Sequence, residues 1–505
     1  MPKDVLNLYN RDFVIVSSPI LNTYFPPPAP AVLKACLEEA GISCAAYDLS
    51  INLRTDLVNQ WSVYTDLDFY FQLQLNIRYS DISDVIQILD NKRKTLKPEV
   101  DQIYDSLLEK YAQRMLSYNS SWLGVSVLSI NSIVFTYDLI RKIRQLKSDA
   151  KIVLGGPGLA EQAHGHNRSA LKFGDILEQS GMCDYVIYGE GERAIVELAN
   201  NILPDRNQGQ IVDINNLPYP DYTDYDMDQY ISPVKIYSIT GSRGCVRNCA
   251  FCDIKFMWNK FVYRTGKNIA DELVHHYQNA GITEFNFTDS LVNGNVRELK
   301  ELCKHIVDYK TQGMLPNNLV LRGQFICRPK NQMKEQDFKM LADAGFDELY
   351  IGIESGSTKV LHSMGKKYSR EDIDYTMNYL DKYRIKIRFM LILGFPTESH
   401  EDFYMTLDML KDYKKYSDRG TIVSVNLSKT MAILENSPVG QQPSNWGVMF
   451  SETGSWETDN SNNRERCSRR YEAQLVCEEM GYNIEWSKLH MDTIAQSLTS
   501  GTSNV

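Results

Sequence analysis

The strongest constraint on the fold is a regular alternation of strand-like and helix-like segments across residues 234–435. Apolar segments predict strands at 234–240, 283–288, 318–326, 348–353, 386–393 and 421–427. Amphipathic segments between them predict helices at about 267–280, 296–310, 331–344, 369–383 and 400–414. Six successive β/α units indicate a partial parallel barrel, whose functional groups gather at the carboxyl ends of the strands. Residues 436–505 lose the alternation and form a small C-terminal extension.

A second alternation of strands and helices occupies residues 1–205. Strands are predicted there at 12–17, 43–49, 122–127, 151–154 and 184–188. This α/β pattern indicates a doubly wound sheet of the flavodoxin or Rossmann type, in which ligands bind beyond the carboxyl ends of the strands. Residues from about 50 to 120 are mostly helical in pattern, and they form either a helical insertion or a long crossover connection. The Pro- and Asp-rich residues 206–233 predict a linker between the two domains.

The composition limits the class of protein. The net charge of −10 argues against a broad nucleic-acid-binding surface, although it leaves room for a local basic pocket. No apolar run is long enough to span a bilayer, and the N-terminus lacks the apolar segment of a signal peptide, so we expect a cytoplasmic protein. Ten cysteines in 505 residues are too few for a disulfide scaffold.

Three of these cysteines are clustered on one predicted loop. Cys245, Cys249 and Cys252 follow the first barrel strand in a C-x3-C-x2-C spacing. Three thiolates on a short loop can bind one soft metal centre and leave one position of a four-iron cluster without a protein ligand. The alternative is a zinc knuckle or unrelated cysteines, but zinc needs a fourth ligand and no other His or Cys is near in sequence.

This loop resembles the cysteine motif of the radical S-adenosylmethionine (SAM) superfamily, and Phe251 occupies the family's aromatic position before the third cysteine. The resemblance implies that the three cysteines hold a [4Fe–4S] cluster to which SAM binds. It also implies SAM contacts from Glu354, in a segment that resembles the family's fourth strand, and from Asp289, at the end of the second strand. For both carboxylates the alternative is capping of the following helix.

The segment 388–398 resembles a later strand of the same family, whose Gly-x-Pro turn lies near the adenine of SAM. The resemblance implies that Gly394 and Pro396 shape this turn and that Arg388 meets the SAM carboxylate. A surface or salt-bridge role for Arg388 is the alternative. Cys36, Cys44 and Cys183 lack the spacing of the second cluster that methylthiotransferases hold.

The N-terminal region resembles the cobalamin-binding domains that are fused to radical SAM barrels. Ser126 and Leu128 follow one predicted strand and Gly155 and Gly156 follow the next, as in the elements that accept the cobalamin nucleotide tail. A third matching element, Tyr188-Gly-Glu-Gly-Glu, contains Gly189 and Glu190. The alternative is a doubly wound domain that has lost cobalamin. The first histidine of the chain is His164, so the cobalt-ligating histidine motif of many cobalamin domains is missing from its usual place.

These resemblances together imply a cobalamin-dependent radical SAM enzyme that methylates an unactivated carbon or phosphorus. In that group one SAM methylates cobalamin, and a second SAM gives a 5′-deoxyadenosyl radical that activates the substrate. The implied partners are a small-molecule or peptide substrate and an external flavodoxin-like or ferredoxin-like electron donor, without nucleic acid or membrane. Two alternatives stay open: a cobalamin-binding radical SAM cyclase, rearrangement enzyme or oxidoreductase without methyl transfer, and a noncatalytic iron–sulfur or cobalamin sensor.

Overall fold

A computed structural model gives the fold of the protein and describes residues 11–19, 23–71, 82–160, 172–427, 431–451 and 455–485. Two compact units divide the chain. The first contains residues 1–212 and 216–238, and the second contains residues 213–215 and 239–505. Within the described ranges, no helix has both the length and the apolar character needed to cross a membrane.

The first unit contains a five-stranded parallel sheet. Its strands are β1 (Phe13–Ser17), β2 (Cys44–Asp48), β3 (Trp122–Ser126), β4 (Ile152–Gly155) and β5 (Tyr185–Ile187). They lie in the order β2-β1-β3-β4-β5, with every neighbouring pair parallel. This is the doubly wound order of the flavodoxin type, in which the chain changes direction between β1 and β3. The predicted fold class is confirmed for this unit.

Helices cover both faces of this sheet because successive side chains of a strand point to opposite sides. Phe13 and Ile15 of β1 pack in the core beneath helices Pro28–Glu39 and Gly191–Ala199. Val14 and Val16 face the opposite core, which is larger and is covered by the remaining helices of the unit. These remaining helices are Leu49–Asp56, Trp61–Phe71, Ile82–Arg93, Pro98–Ser117, Ile133–Leu146 and Phe173–Gln179.

The helical segment between β2 and β3 is joined to the sheet through a buried carboxylate. Asp138, on helix Ile133–Leu146, accepts hydrogen bonds from the Tyr70 hydroxyl at 2.8 Å and from the Tyr104 hydroxyl at 3.0 Å. Burial raises the pKa of Asp138 to about 6. All four helices described in this segment contribute buried side chains to the larger core, among them Leu49, Tyr70, Leu89 and Tyr104.

Residues 216–238 belong to the first unit and are fixed to it by a buried lysine. Lys34 Nζ lies 2.8 Å from Asp224 and 3.2 Å from Asp221, and it donates to the Thr223 hydroxyl at 2.8 Å. Its side chain is 3% exposed, so these contacts satisfy a charge that burial would otherwise make costly.

The second sheet has seven strands in chain order, from β6 at one edge to β12 at the other. They are β6 (Ile236–Ile239), β7 (Glu284–Phe287), β8 (Val320–Phe325), β9 (Phe346–Glu354), β10 (Lys386–Leu391), β11 (Ile422–Asn426) and β12 (Ile484–Glu485). The neighbouring pairs from β7 to β12 are parallel. This arrangement is that of a partial β/α barrel, so the predicted fold class is confirmed here as well.

Helices connect the strands of this sheet at the five predicted places, and a sixth short helix, Thr358–Ser363, was not predicted. They are Gly266–Ala280, Val296–Thr311, Glu335–Ala344, Thr358–Ser363, Arg370–Lys382 and His400–Asp418. Ser369 and Ser399 begin two of them with capping boxes, in which the carboxylates of Asp372 and Asp402 accept a hydrogen bond from the backbone N–H of the cap residue. Local sequence therefore fixes where these two helices start. Each start sets the length of the loop that joins the helix to the carboxyl end of the strand before it.

The C-terminal extension adds helix Asn463–Glu479 and strand β12. Val425 and Asn426 of β11 pair with Ile484 and Glu485, so the alternation that the sequence pattern loses after residue 435 resumes with one short strand. The extension also contains the short helix Pro438–Gln441 and a hairpin of Met449–Phe450 with Trp456–Glu457.

Candidate active site

The cysteine loop begins directly after β6 and is closed by a small hairpin. Ser242–Arg243 pairs antiparallel with Val262–Tyr263, so all three cysteines lie on the excursion between these two segments. Gly244 has a φ of +80°, and a β-carbon there would lie 2.6 Å from the Lys260 carbonyl oxygen, so only glycine fits this turn. The three cysteines are free and partly exposed, and the Cys252 N–H donates to the Cys249 carbonyl at 3.1 Å.

The donor chemistry of the loop suits an iron–sulfur cluster better than a single metal ion. In the ranges that the structure describes, no group of three His, Cys, Asp or Glu side chains is arranged around one ion position. The thiolates around a four-iron cluster lie farther apart than the ligands of a single ion, because each thiolate binds a different iron atom. Burial raises the pKa of Cys249 to about 11 and also raises the pKa of Cys252, so binding of a metal cluster must release their protons.

A buried ion pair lies against this loop, and the sequence did not reveal it. The Ala250 N–H donates to the Met364 carbonyl at 2.9 Å, which brings the turn before Lys366 onto the cysteine loop. Lys366 Nζ lies 2.9 Å from Glu354 Oε1, with both side chains less than a tenth exposed, and 5.4 Å from the centre of the Phe251 ring. Burial alone would lower the pKa of Lys366, but the Glu354 carboxylate raises it.

Glu354 ends β9 in a conformation that is unusual for a residue with a side chain. Its φ is +66°, and the register of β9 against β10 shifts between Gly352 and Glu354. A left-handed conformation of this kind costs about 1–3 kcal/mol and is concentrated at functional sites. The following helix is capped by Ser357, whose hydroxyl accepts from the Val360 N–H at 3.4 Å. The helix-capping alternative for Glu354 is therefore wrong, and its SAM contact stays a prediction.

Asp289 connects the end of β7 to the start of the cysteine loop. Its two carboxylate oxygens accept hydrogen bonds from the Gly241 N–H at 2.8 Å and from the Ser242 hydroxyl at 2.6 Å. Burial raises the pKa of Asp289 to about 7, although these two hydrogen bonds act in the opposite direction. The next helix is capped by Asn295, so Asp289 is not a helix cap. Asp289 holds the loop in place, and direct contact with SAM stays a prediction.

Arg388, on β10, lies between two carboxylates. Its Nε donates to Glu348 Oε1 of β9 at 2.6 Å, and its Nη1 donates to Glu485 Oε1 of β12. Glu485 also accepts from the Ser424 hydroxyl at 2.6 Å. Arg388 therefore has the salt-bridge role, which joins the C-terminal strand β12 to β9 and β10. The structure does not bring it to the cysteine loop, and the predicted contact with the SAM carboxylate remains untested.

The Gly-Phe-Pro turn after β10 is held by the C-terminal extension. Ser461 donates to the Gly394 carbonyl at 3.0 Å, and Thr458 donates to the Pro396 carbonyl at 2.9 Å. Gly394 has a φ of +76°, and a β-carbon there would lie 2.4 Å from Cγ of Arg466. The turn therefore requires glycine for packing as well as for backbone conformation.

A buried Glu–Arg pair completes this turn. Glu398 Oε2 accepts from the Gly394 N–H at 2.7 Å and from Arg469 Nη1 at 2.9 Å. Arg466 stacks on the Trp456 ring at 3.7 Å and donates to the Trp456 carbonyl at 3.0 Å. The two arginines lie on helix Asn463–Glu479, for which the sequence offered no functional motif.

The predicted cobalamin residues lie at the carboxyl edge of the first sheet. Ser126 pairs with both Ser17 and Gly155, which places the ends of β1, β3 and β4 side by side. Leu128, just beyond β3, is 55% exposed. This edge, at the point where the strand order reverses, is where sheets of this type bind their ligands.

The two glycines after β4 differ in what the protein requires of them. Gly156 has a φ of +112°, and a β-carbon there would lie 2.4 Å from the Val127 carbonyl oxygen, so packing alone explains this glycine. At Gly155 the nearest atom to an added β-carbon is the Ile187 carbonyl oxygen at 3.8 Å, an ordinary contact. The fold itself therefore tolerates a side chain at Gly155, and its absence leaves space at the strand edge for a ligand such as a nucleotide tail.

The remaining predicted residues of this unit have structural contacts. Gly189 has a φ of +86°, and a β-carbon there would lie 2.4 Å from the Gln208 carbonyl oxygen. Glu190 is buried and accepts from the Ile211 N–H. These contacts fix the segment after β5, while the predicted role of both residues in cobalamin binding is untested. His164 lies outside the described residues.

The N-terminal cysteines do not form a second cluster site. Cys44 belongs to the core on one face of the sheet, and Cys183 belongs to the core on the opposite face. Cys36 is buried on helix Pro28–Glu39. Since a cluster needs its thiolates around one centre, this arrangement excludes these three cysteines as one ligand set.

Comparison with known proteins identifies the barrel. Residues 239–410, about a third of the chain, match the Radical SAM superfamily, and this segment is a radical SAM domain. The chain is 23% identical over 321 residues to an uncharacterized methyltransferase of Pyrococcus horikoshii and 24% identical over 196 residues to the cytidylyl-2-hydroxyethylphosphonate methyltransferase of Streptomyces wedmorensis. These matches cover 58% and 36% of this chain, and 66% and 35% of the two relatives, in each case less than two thirds of the relative.

Solved structures resemble the chain over nearly its whole length. The radical SAM methyltransferase TsrM from Kitasatospora setae, with cobalamin and a [4Fe–4S] cluster bound, superposes with a TM-score of 0.62 at 16% identity, covering 95% of this chain and 90% of TsrM. The cobalamin-dependent SAM radical enzyme OxsB superposes with a TM-score of 0.60 at 13% identity, covering 93% of this chain and 67% of OxsB. At these identities the similarity establishes the shared fold.

Proposed function

We propose that this chain is a cobalamin-dependent radical SAM methyltransferase, which transfers a methyl group to an unactivated carbon or to phosphorus. The observation that carries the proposal is the position of the cysteine loop at the end of β6, where a buried Lys366–Glu354 pair lies against it. The methyltransferases among the relatives and the fold shared with TsrM and OxsB support the methyl-transfer part.

The proposal assigns the cofactors to residues of this chain. Cys245, Cys249 and Cys252 would hold the [4Fe–4S] cluster, and the space left at Gly155 would take part of the cobalamin tail. When bound, the cluster with SAM supplies the 5′-deoxyadenosyl radical and cobalamin supplies the methyl group.

The side chains around the cysteine loop would orient SAM. Glu354 uses one carboxylate oxygen on Lys366 and would accept a hydrogen bond from a polar group of SAM with the other. The backbone of the turn from Gly394 to Pro396, held by the extension, would shape the space for adenine. Asp289 keeps the start of the cysteine loop fixed to β7, so that the three thiolates keep their relative positions.

The partners and the compartment follow from the proposed chemistry. The substrate would be a small molecule or a peptide, as the net charge of −10 does not favour a nucleic acid. The electron would come from a flavodoxin-like or ferredoxin-like protein. We place the protein in the cytoplasm, where a reducing environment keeps its ten free thiols reduced.

The test is anaerobic reconstitution of the full chain with iron, sulfide and hydroxocobalamin, followed by reaction with SAM and a reductant. We expect four-iron absorption and reductive cleavage of SAM to 5′-deoxyadenosine and methionine. Alanine variants of Cys245, Cys249 and Cys252 should lose the cluster absorption. Cys303→Ala, at a buried cysteine on helix Val296–Thr311, should keep it. Retention of the full cluster in all three loop variants would refute the ligand assignment.

The products distinguish the proposal from its alternatives. With its substrate, a methyltransferase of this type forms both S-adenosylhomocysteine and 5′-deoxyadenosine. A cyclase, rearrangement enzyme or oxidoreductase would form 5′-deoxyadenosine without stoichiometric methyl transfer. A sensor would hold the cluster and yet fail to cleave SAM reductively.

A further inference from the structure

Arg247, two residues after the first cysteine, carries a buried charge, and two of its guanidinium nitrogens lack a hydrogen-bond partner in the described part of the chain. Its backbone N–H donates to Cys245 Sγ at 3.4 Å, and the residue is only 8% exposed. Among the described residues, neither Nε nor Nη2 of its guanidinium has a hydrogen-bond partner. A buried charged group without a partner costs free energy, so an anion bound beside Arg247 would be stabilising.

A second guanidinium, that of Arg328, lines the same cavity as Val246 of the cysteine loop and is held by hydrogen bonds. Arg328 follows β8, and its Nε and Nη2 donate to the Asn293 carbonyl at 3.0 Å and the Gly294 carbonyl at 2.8 Å. Its Nη1 donates to the Gln332 side chain at 3.0 Å. Burial and repulsion from Arg247 lower the pKa of Arg328 to about 10, so it remains cationic at neutral pH.

No carboxylate neutralises this pair of arginines. The hydrogen-bond acceptors of Arg328 are uncharged, and in the described part of the chain neither arginine forms an ion pair with Asp or Glu. Two guanidinium groups repel each other. The fold nevertheless places Arg328 at a cavity shared with Val246, the residue between Cys245 and Arg247. Two carboxylates act on the other two cysteines: Glu354, which is paired with Lys366, and Asp253, which is next to Cys252 in sequence.

We infer that Arg247 and Arg328 are the counter-charge for the anionic iron–sulfur cluster and that they raise its reduction potential. This inference rests on the proposed function, because it requires a cluster on the three cysteines. Each thiolate brings a negative charge, and the electron accepted from the external donor adds another. Nearby cations favour the more negative, reduced state, and charge and hydrogen bonding around the sulfurs are established means of setting cluster potentials.

The two arginines are positioning residues that act through the cluster, with no step of their own in the reaction. Their effect is to make the one-electron reduction by an external donor more favourable, so that a donor of a given potential fills a larger fraction of clusters. The N–H groups of Arg247 that lack a protein partner are available to the cluster sulfurs or to a thiolate.

The experiment is a potentiometric titration of the reconstituted full chain without SAM, with the reduced cluster measured by electron paramagnetic resonance. Arg247→Gln and Arg328→Gln remove the charge, and Arg247→Lys and Arg328→Lys keep it. Arg419→Gln is the matched control, because Arg419 is exposed and follows helix His400–Asp418 at the amino ends of the strands, opposite the cysteine loop. Iron content and melting temperature are measured for every variant.

We expect each Gln variant to show about a tenfold lower ratio of reduced to oxidised cluster at a fixed potential, which is about 59 mV for a one-electron couple. The Lys variants should recover most of this loss, and the control should match the wild type. A folded Gln variant that fails to retain iron while its Lys counterpart retains it also supports the inference.

Equal midpoints in the loaded Gln variants and the control would overturn the inference while leaving the proposed function intact. Lys variants as impaired as the Gln variants would also overturn it, since shape and not charge would then be responsible. A wild-type chain that binds no cluster would overturn the proposed function, and the inference with it.

Discussion

Replacing Arg469 with Met tests whether the C-terminal extension supports the turn after β10. Arg469 and Glu398 are 2% and 0% exposed, and their charged groups are 2.9 Å apart. Removing the arginine leaves a carboxylate buried without its cation, and breaking such a pair costs about 3–5 kcal/mol. Arg469 also donates to the carbonyls of Glu398 and Asn460, which would lose a partner as well.

The expected loss is large compared with the stability of a domain. We predict that Arg469→Met lowers the free energy of unfolding by about 3–5 kcal/mol in urea denaturation. For a domain of this size the melting temperature should fall by roughly 6–20 °C. Glu465→Gln is the matched control, because Glu465 lies 3.3 Å from Arg469 Nε but is 28% exposed, and it should cost under about 1 kcal/mol.

A double variant separates the charge effect from loss of packing. Arg469→Met combined with Glu398→Gln removes both charges, while the amide oxygen still accepts from the Gly394 N–H. It should be more stable than the sum of the single changes predicts, by at least about 1 kcal/mol. A loss below about 1 kcal/mol in Arg469→Met, or strict additivity in the double variant, would refute the role assigned to this pair.

Three further predictions concern the strand ends. Gly156→Ala should destabilise the first unit by at least about 2 kcal/mol. Gly155→Ala should unfold like the wild type in urea but bind cobalamin more weakly in equilibrium dialysis. Equal losses of stability in the two variants would contradict this. The pKa of Asp289 is raised from 3.8 to about 7, so between these pH values the folded protein binds a proton that the unfolded chain does not. The free energy of unfolding of the wild type should therefore fall as pH rises from about 4 to about 7, and Asp289→Asn should lose this dependence in denaturation curves. The same pH dependence in both proteins would disprove this. Lys366→Met leaves Glu354 without its partner and should raise the Kd for SAM at least about tenfold, which corresponds to about 1.4 kcal/mol of binding free energy. An unchanged Kd would exclude Glu354 from SAM binding.

The sequence determined most of the architecture because each element carries local signals. The predicted strand at 348–353 is Phe346–Glu354 in the structure, and the predicted helix at 369–383 is Arg370–Lys382, whose start is fixed by the Ser369–Asp372 capping box. The cysteine spacing was equally local. These features depend on neighbours within a few residues, so one sequence is enough to read them.

The contacts that support the site could not be predicted because they join distant residues. Lys366 follows Gly365 and precedes another lysine, a pattern typical of an exposed loop, yet it is buried against Glu354. The partner of Arg388 was also unpredictable from sequence. Its position suited a SAM contact, but its side chain donates to Glu485, 97 residues later. Only the packing of the extension onto the barrel determines which arginine meets which carboxylate.

The central claim is that one chain binds both a cluster and cobalamin and moves a methyl group through cobalamin. The most direct measurement is the fate of an isotope-labelled methyl group of SAM after anaerobic reconstitution of the full chain with iron, sulfide and hydroxocobalamin under reducing conditions. We predict that cobalamin binds in proportion to the chain, and that labelled methylcobalamin forms together with an equal amount of S-adenosylhomocysteine. A chain that holds its cluster but binds no cobalamin, or binds cobalamin that never acquires the label, would contradict it.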